Sequence, residues 1–340
     1  MVTVNVVPGK IPVILIYNIN PEWSEEEKKE AVCASEQLGQ ALKEVGHRTI
    51  CLPIENVDLE SRLSKFDPYE YIVFNWCEIL PGIIHSEWMV AEKLEKLGFI
   101  FTGADSQKLL LSQDKNRVKE MLRQAGIPTP EWALFTQPTD CRWEKYPAII
   151  KPVNEHCSEG IDADSVVLSP EEARARIDAI LEKYQQPVLM EDFVDGREFH
   201  VAVWGNEKLE VLPAVEMDFS YFKNVKERLC SYEAKFIAGS KHYEKIETLV
   251  PAPLSKKELN MLNKVCEDAY SVTGCRDYAR FDVRLRNGIF YILDVNHNAD
   301  ISLDASMACA AQAAGLSYGE MVSNIVCLAA KRHSVWGKIT

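Results

Sequence analysis

The stretch Tyr278–Ser302 reads YARFDVRLRNGIFYILDVNHNADIS. Arg280 and Asp282 lie on one strand-like run, Asp294 and Asn296 on the next, with the turn pair Asn287-Gly288 between them. Phe281, Val283 and Leu285, then Ile289, Tyr291, Leu293 and Val295, alternate with the polar positions, which predicts two half-buried strands. A cation, two carboxylates and an amide carbonyl on one hairpin supply the counter-charge and oxygen ligands that suit a Mg²⁺-bound triphosphate.

That reading carries a parity condition. A two-residue Asn287-Gly288 turn pairs Arg286 with Ile289 and sets Asp282 opposite Leu293. Cross-strand partners share a face, so Asp294 would then point away from Asp282. A three-residue loop, Arg286-Asn287-Gly288, or an equivalent one-residue bulge, brings Arg280, Asp282, Asp294 and Asn296 to one face. We therefore expect that loop or bulge.

Outward from the hairpin, the bulk properties set limits. With 340 residues, the chain is long enough for two or three domains, and 47% apolar content makes it globular. A net charge of −13 argues against nucleic acid or an anionic membrane as the main partner, since both call for basic patches. No apolar run reaches the roughly 18 residues of a membrane span, and the start, MVTVNVVPGKIPVILIYN, lacks a signal-peptide layout. Ten cysteines are present with no Cys-x-x-Cys pair, which argues against a close-pair zinc site. Cys51, Cys77 and Cys327 sit in apolar runs and read as core residues. Reduced thiols and a cytoplasmic location are expected.

Strand-like Val13–Tyr17, a helix from Ser24 to Val45, strand-like Thr49–Leu52 and Tyr71–Asn75, a helix near Ser86–Leu97 and strand-like Phe99–Thr102 alternate, which predicts a parallel sheet with crossover helices. Neither Gly-x-Gly-x-x-Gly nor the Walker pattern is present. A second unit opens near GIPTPEW, with strands Ala148–Lys151, Ser165–Leu168 and Val188–Glu191 and a helix over 170–184. A third begins after the Asp195-Gly196 turn, with strands Phe199–Trp204 and Leu209–Val215, the hairpin, and a helical end over Ser306–Ala330. The expected domains are 1–112, 113–195 and 196–340.

The motifs, taken in order, resemble a family. Asp114-Lys115, AIIKP (148–152), EHCSEGI (155–161), LMEDFVDGREF (189–199), SYEAKF (231–236), YARFD and ILDVN are similar to the ATP-grasp ligases, in their D-alanine–D-alanine ligase branch, over about residues 70–330. The resemblance implies a three-domain α/β fold: an N-terminal Rossmann-like parallel sheet, a small central α+β domain and a C-terminal α+β domain. It implies ATP between the last two, two Mg²⁺ ions (with Mn²⁺ as a substitute), and carboxylate activation as an acyl phosphate followed by amine attack. By the same resemblance, Lys115, Lys151 and Lys235 meet the nucleotide, Lys235 at its terminal phosphates. Ser158 lies in the loop over the phosphates, as a catalytic residue. Glu191, Val194 and Glu198 match the segment that reads adenine and ribose. Arg280 matches the arginine that stabilises the charged transition state. Asp282, Asp294 and Asn296 match the metal ligands.

The substrate half departs from the family. Where the family has Gly-Gly-x-Ser-x-Glu, this chain reads YNINPEWSEEE; where it has His-Gly-x-x-Gly-Glu-Asp-Gly, this chain reads NWCEILPGIIHSE; after Asn296 it offers Asn298, Asp300, Ser302 and Ser306 instead of a Pro-Gly step. We therefore expect an ADP-forming ligase acting on small amino acids or amines other than a pair of D-alanines, with Asp300 as a candidate for a cationic group. A phosphotransferase and a non-catalytic nucleotide-binding module are the alternatives. No nucleic-acid or membrane partner is expected, and a homodimer is compatible with the sequence. His297 reads as a bystander.

Overall fold

The computed structural model describes residues 11–137, 142–155, 158–231, 234, 237 and 239–338. Its first unit is a parallel sheet of order β2-β1-β3-β4, built from β1 (Pro12–Asn18), β2 (Arg48–Ile54), β3 (Ile72–Trp76) and β4 (Ile100–Phe101). The strand β1 is apolar at every core position because both faces are covered. Val13 and Leu15 face α1 (Glu25–Glu44), while Ile14 and Ile16 face the other way, toward the short α2 (Leu59–Leu63) and α3 (Glu87–Lys96). The helix α1 begins where the acidic run predicts: Ser24 caps it, Glu27 closes the capping box, and three glutamates sit in its first turn.

Two helices follow, α4 (Ser106–Ser112) and α5 (Lys115–Gln124). The second sheet, β5-β8-β6-β7, is antiparallel, from β5 (Trp132–Phe135), β6 (Ala148–Pro152), β7 (Val166–Val167) and β8 (Val188–Asp192). One face packs Ala148, Ile150, Val188 and Met190 onto Ala173, Ile177 and Ile180 of α6 (Pro170–Tyr184). Lys151 and Glu191, at alternate positions, belong to the opposite face.

The third sheet has the order β12-β11-β9-β13-β14, with β10 beside β9. Its strands are β9 (Arg197–Gly205), β10 (Leu209–Val211), β11 (Val215–Asp218), β12 (Glu247–Leu249), β13 (Asp277–Arg286) and β14 (Ile289–Asn296). The single strand expected over Leu209–Val215 is two strands, broken around Pro213, which has no N–H for a ladder. The helices α7 (Lys241–Lys245) and α8 (Lys256–Thr273) lie between β11 and β13 in the chain. The helical end divides into α9 (Ser306–Ala313) and α10 (Tyr318–Ala330), separated at Gly315, whose φ of 89° ends the first helix.

Packing crosses the expected boundaries twice. Val118, Leu122 and Ile127 join the core beneath the third sheet with Phe199, Phe281 and Leu262, so α5 packs with that sheet. Met321, Val322 and Ile325 of α10 complete the core of the first sheet with Leu38 and Phe74. Among the described residues, no helix is long and apolar enough to cross a membrane, and Cys33, Cys51, Cys77, Cys266, Cys275 and Cys309 are free thiols.

Candidate active site

The hairpin turns at Asn287-Gly288, with φ of 54° and 78°, and Arg286 pairs with Ile289. Two left-handed residues make the usual two-residue turn, so the three-residue loop does not form. The parity is corrected elsewhere: Val283 faces Ile292 but Asp282 faces Asp294, so Leu293 is an extra residue, a one-residue bulge. Arg280 then pairs with Asn296, and all four polar residues share a face. The physical reason lies on the other face. In a regular ladder Asp294 would pair with Phe281 and enter the apolar core, leaving a buried carboxylate with no cation. The bulge puts Val295 there instead. The apolar alternation expected for the second strand is thereby corrected: Phe290, Ile292 and Val295 are the core residues, while Ile289 is exposed and Tyr291 and Leu293 are half-buried.

On the shared face, Arg280 grips Asp282 with two hydrogen bonds, Nε to Oδ1 at 2.8 Å and Nη2 to Oδ2 at 3.1 Å. Asn296 Nδ2 donates to Asp282 Oδ2 at 3.4 Å. Burial works against the Arg280 charge, but Asp282, with Asp300 and Asp294 behind it, raises the group above its ordinary range.

Lysines gather opposite this face. Lys115, Lys119 and Lys151 are all buried. Glu191 Oε1 stands 3.0 Å from Lys151 Nζ and 3.3 Å from Lys119 Nζ, though off the hydrogen-bonding direction. Lys119 also donates to Thr129 Oγ1 at 2.9 Å, and Lys115 to the Glu155 carbonyl. Burial pushes Lys119 down to about 8, with Glu191 opposing and Lys151 adding to the effect. For Lys151 burial again opposes the charge, but Glu191, Asp294 and Asp282 outweigh it and the group is raised. Lys115 is lowered, first by burial, with Asp294 opposing. The lysine cluster and the hairpin carboxylates thus lie within electrostatic reach of each other.

Glu198 is buried, and its partner is Arg284, Nε to Oε2 at 2.7 Å. Arg197 instead holds Glu216 by two bonds of 2.6 Å. Arg284 Nη1 also donates to the Val194 carbonyl at 3.0 Å. His200, one strand period beyond Glu198, has Nε2 3.7 Å from Glu198 Oε1 and 3.9 Å from Asp282 Oδ1. Burial alone would raise the Glu198 carboxyl; Arg284 and then His200 reverse this and hold it well below the ordinary range. Ser158, at φ 63°, donates its hydroxyl to the Cys230 carbonyl at 3.1 Å. Lys235 and Cys157 lie outside the described residues.

Beyond the hairpin, the groups offered for substrate divide. Asn298 bridges units: its Oδ1 accepts from Ala104 N at 2.9 Å and its Nδ2 donates to Glu87 at 2.6 Å. Ser306 meets His200 Nδ1 at 2.8 Å, and His297 turns to the Thr273 carbonyl, 3.1 Å away. Asp300 is exposed and accepts from Ser302 N and Oγ. Desolvation raises Glu87, to about 8, and also Glu78, although Glu78 is exposed at the surface; Asp300 adds to the effect on Glu78, and Glu78 to that on Glu87. Alongside, Trp76, Tyr318, Asp304, Ser302 and Gln37 contribute to a cavity of about 320 Å³.

The family model described as "D-ala D-ala ligase C-terminus" matches residues 121–327. The chain belongs to the D-alanine–D-alanine ligase family, within the ATP-grasp superfamily. It is 31% identical over 301 residues to an uncharacterised protein, y4sG, of Sinorhizobium fredii, covering 86% of each chain. It is 28% identical over 304 residues to the D-alanine–D-alanine ligase of Aquifex aeolicus, covering 88% of this chain and 96% of that one. A crystal structure of the Bacillus anthracis D-alanine–D-alanine ligase complexed with ATP superposes with a TM-score of 0.72 over 97% of this chain and 100% of that one, at 19% identity. The fold is accordingly the three-domain ATP-grasp fold.

Within this family fold, sequence reading passed over Lys119, His200 and Arg284. Each had a periodic signal. Lys119 is four residues from Lys115, hence on the same helical face. Arg284 follows Arg280 and Asp282 at period two, and His200 follows Glu198 in the same way.

Proposed function

We propose that the chain is an ATP-dependent, ADP-forming carboxylate–amine ligase that works through an acyl phosphate on a pair other than two D-alanines. The observation that carries this reading is the set of three buried ammonium groups opposite the Arg280–Asp282–Asp294–Asn296 face. Three buried cations, two of them within 3.3 Å of the buried carboxylate Glu191, suit a polyanion, because desolvated charge needs a partner.

In this reading Lys115 and Lys151 bind the phosphates, with Lys235 at their terminal end. The segment Glu191–Val194 reads adenine, Glu198 holds the ribose, and Ser158 lies in the loop over the phosphates. Asp282, Asp294 and Asn296 would hold Mg²⁺; oxygen donors on one face fit that hard cation. When bound, the metal neutralises and polarises the phosphoryl oxygens. Arg280 steadies the charge that develops when the amine attacks, its planar fork already oriented by Asp282. Most of the catalytic effect would come from positioning and fixed charge. Free thiols support a cytoplasmic location.

The departures from the family's amino-acid motifs support a different substrate pair, as does the closeness of Glu78 to both Glu87 and Asp300. Carboxylates there favour a substrate with a cationic group. The test is ADP release with D-alanine alone beside pools of amino acids and amines. Turnover with a pool, and a D-alanine rate lower by about four orders of magnitude, is expected. Robust turnover on D-alanine alone refutes the substrate reading. With ¹⁸O in the substrate carboxylate, label should appear in released phosphate; label retained wholly in product and acid excludes the acyl phosphate.

A further inference from the structure

The strand order β2-β1-β3-β4 reverses direction between β1 and β3, and parallel sheets take ligands beyond the carboxyl ends of their strands at such a point. Trp76 ends β3 there, opposite Tyr17 of β1, and walls the cavity of about 320 Å³. Tyr318, at the start of α10, supplies a second aromatic ring; α1 brings Gln37, and the segment after the hairpin brings Ser302 and Asp304. Ligand sites run from roughly 300 to 1,000 Å³, so this one suits a single small group such as an amino-acid side chain.

The lining sets a charge preference. Among its described residues Asp304 is the one that carries charge. Burial raises the Tyr318 hydroxyl, and Asp300 and Asp304 raise it further, so both carboxylates act on the cavity. Asp300 already accepts from Ser302 N at 2.9 Å and from Ser302 Oγ, so Asp304 is the better placed of the two to meet a ligand. A cation on an apolar stem matches this lining: the stem lies along the rings, the ring faces attract the charge, and the carboxylate neutralises it. An anionic group in the same place would meet only like charge.

The cavity is also tied to the hairpin face. Asp300 lies within electrostatic reach of Arg280 as well as of Tyr318. Ser302 is four residues from Ser306, whose Oγ meets His200 Nδ1 at 2.8 Å. Four residues span at most about 14 Å, so a small substrate engaged at Arg280 can extend a side chain toward the cavity. We propose that this cavity is the specificity pocket and takes the cationic side chain of a basic amino acid, with Asp304 as counter-ion and Trp76 and Tyr318 as walls. That the bound amino acid is then ligated rests on the proposed function; the binding preference does not.

The experiment is calorimetry on the full chain, with and without AMP-PNP and Mg²⁺, beside an ADP-release assay with ATP. The probes are lysine, ornithine and arginine in both enantiomers, with norleucine and citrulline as neutral counterparts. At least one basic amino acid should bind about tenfold more tightly than its neutral counterpart, the worth of a charge-assisted contact. Asp304 and Gln37 are both exposed, so their variants test the pocket without disturbing the core. Asp304→Asn should remove the preference, and Gln37→Lys should weaken the basic ligand about fivefold by like-charge repulsion. Failure of every basic amino acid to bind, equal binding of the neutral counterparts, or a preference that survives Asp304→Asn overturns the proposal. Asp304-dependent binding without ADP release leaves the pocket standing and refutes the ligase reading. ADP release driven by neutral amino acids and indifferent to both variants leaves the ligase standing and refutes the pocket.

Discussion

Replacing Arg284 with Met should expose how the third sheet holds Glu198. The guanidinium is buried and gives Nε to Glu198 at 2.7 Å, Nη1 to the Val194 carbonyl at 3.0 Å and Nη2 to the Arg228 carbonyl, and it lies 4.6 Å from the Phe193 ring centre. Met fills much of the volume but leaves the carboxylate without its cation. Breaking a buried pair from one side costs about 3–5 kcal/mol. The double variant Arg284→Met/Glu198→Gln removes the stranded charge and should recover about 2 kcal/mol of this, the remainder being the orphaned carbonyls.

The pH dependence gives a sharper check. In the wild type the Glu198 carboxyl is held below its unfolded value, so its contribution is present above the unfolded pKa and lost as pH falls through the folded one. In Arg284→Met, burial is no longer opposed by the guanidinium and the carboxyl shifts upward, so that variant loses stability as pH rises. The gap between the two should therefore widen between about pH 4 and pH 7. Thermal unfolding and amide exchange along β9 and β13 measure it. A gap below about 1 kcal/mol at neutral pH, well short of the cost of a broken buried pair, or one that stays constant with pH, refutes the reasoning.

Lys151→Met should weaken ATP binding tenfold or more, since a charge-assisted phosphate contact is worth about 1.5–3 kcal/mol; unchanged affinity in calorimetry counts against the phosphate role. Nucleotide affinity should also fall as pH rises through 8, where Lys119 loses its proton, and a flat profile from pH 7 to 9 would show that this ammonium does not serve the site. Asp282→Asn should fold, turn over slowly and need more Mg²⁺; an unaltered metal requirement would remove Asp282 from the ligand set. Glu87 titrates near 8 in the fold and near 4.5 unfolded, so its ionisation costs stability as pH rises between those values. Glu87→Gln keeps an acceptor for Asn298 and should gain about 1–2 kcal/mol above pH 8, discounted for the partial exposure of the side chain; an equal gain at pH 5 in thermal unfolding would contradict the shift.

Much of this molecule is legible locally. The run from Val13 to Tyr17, apolar throughout, announces a strand covered on both faces; Ser24 and its glutamates announce a helix start; Asn287-Gly288 announces a two-residue turn. These are interactions among near neighbours, so a single sequence carries them. The ordered motifs from Lys115 to Asn296 point to the family for the same reason, each being short and self-contained.

The tertiary structure decided what depends on partners distant in the chain. The hairpin's own turn chemistry would have sent Asp294 into the core, and the bulge at Leu293 exists because Phe281, Leu262 and Val295 must share that core. Whether Glu198 answers to Arg197, Arg284 or a ligand could not be read from its neighbours, because Arg284 lies on another strand and is brought beside it by the ladder between β9 and β13. Asn298, next to the proposed metal face in sequence, was drawn away to Ala104 and Glu87 on the first unit. Local sequence sets backbone geometry within a few residues, whereas the pairing of buried charges is a property of the assembled core, where the cost of leaving a charge unpaired selects among all the partners the fold brings near.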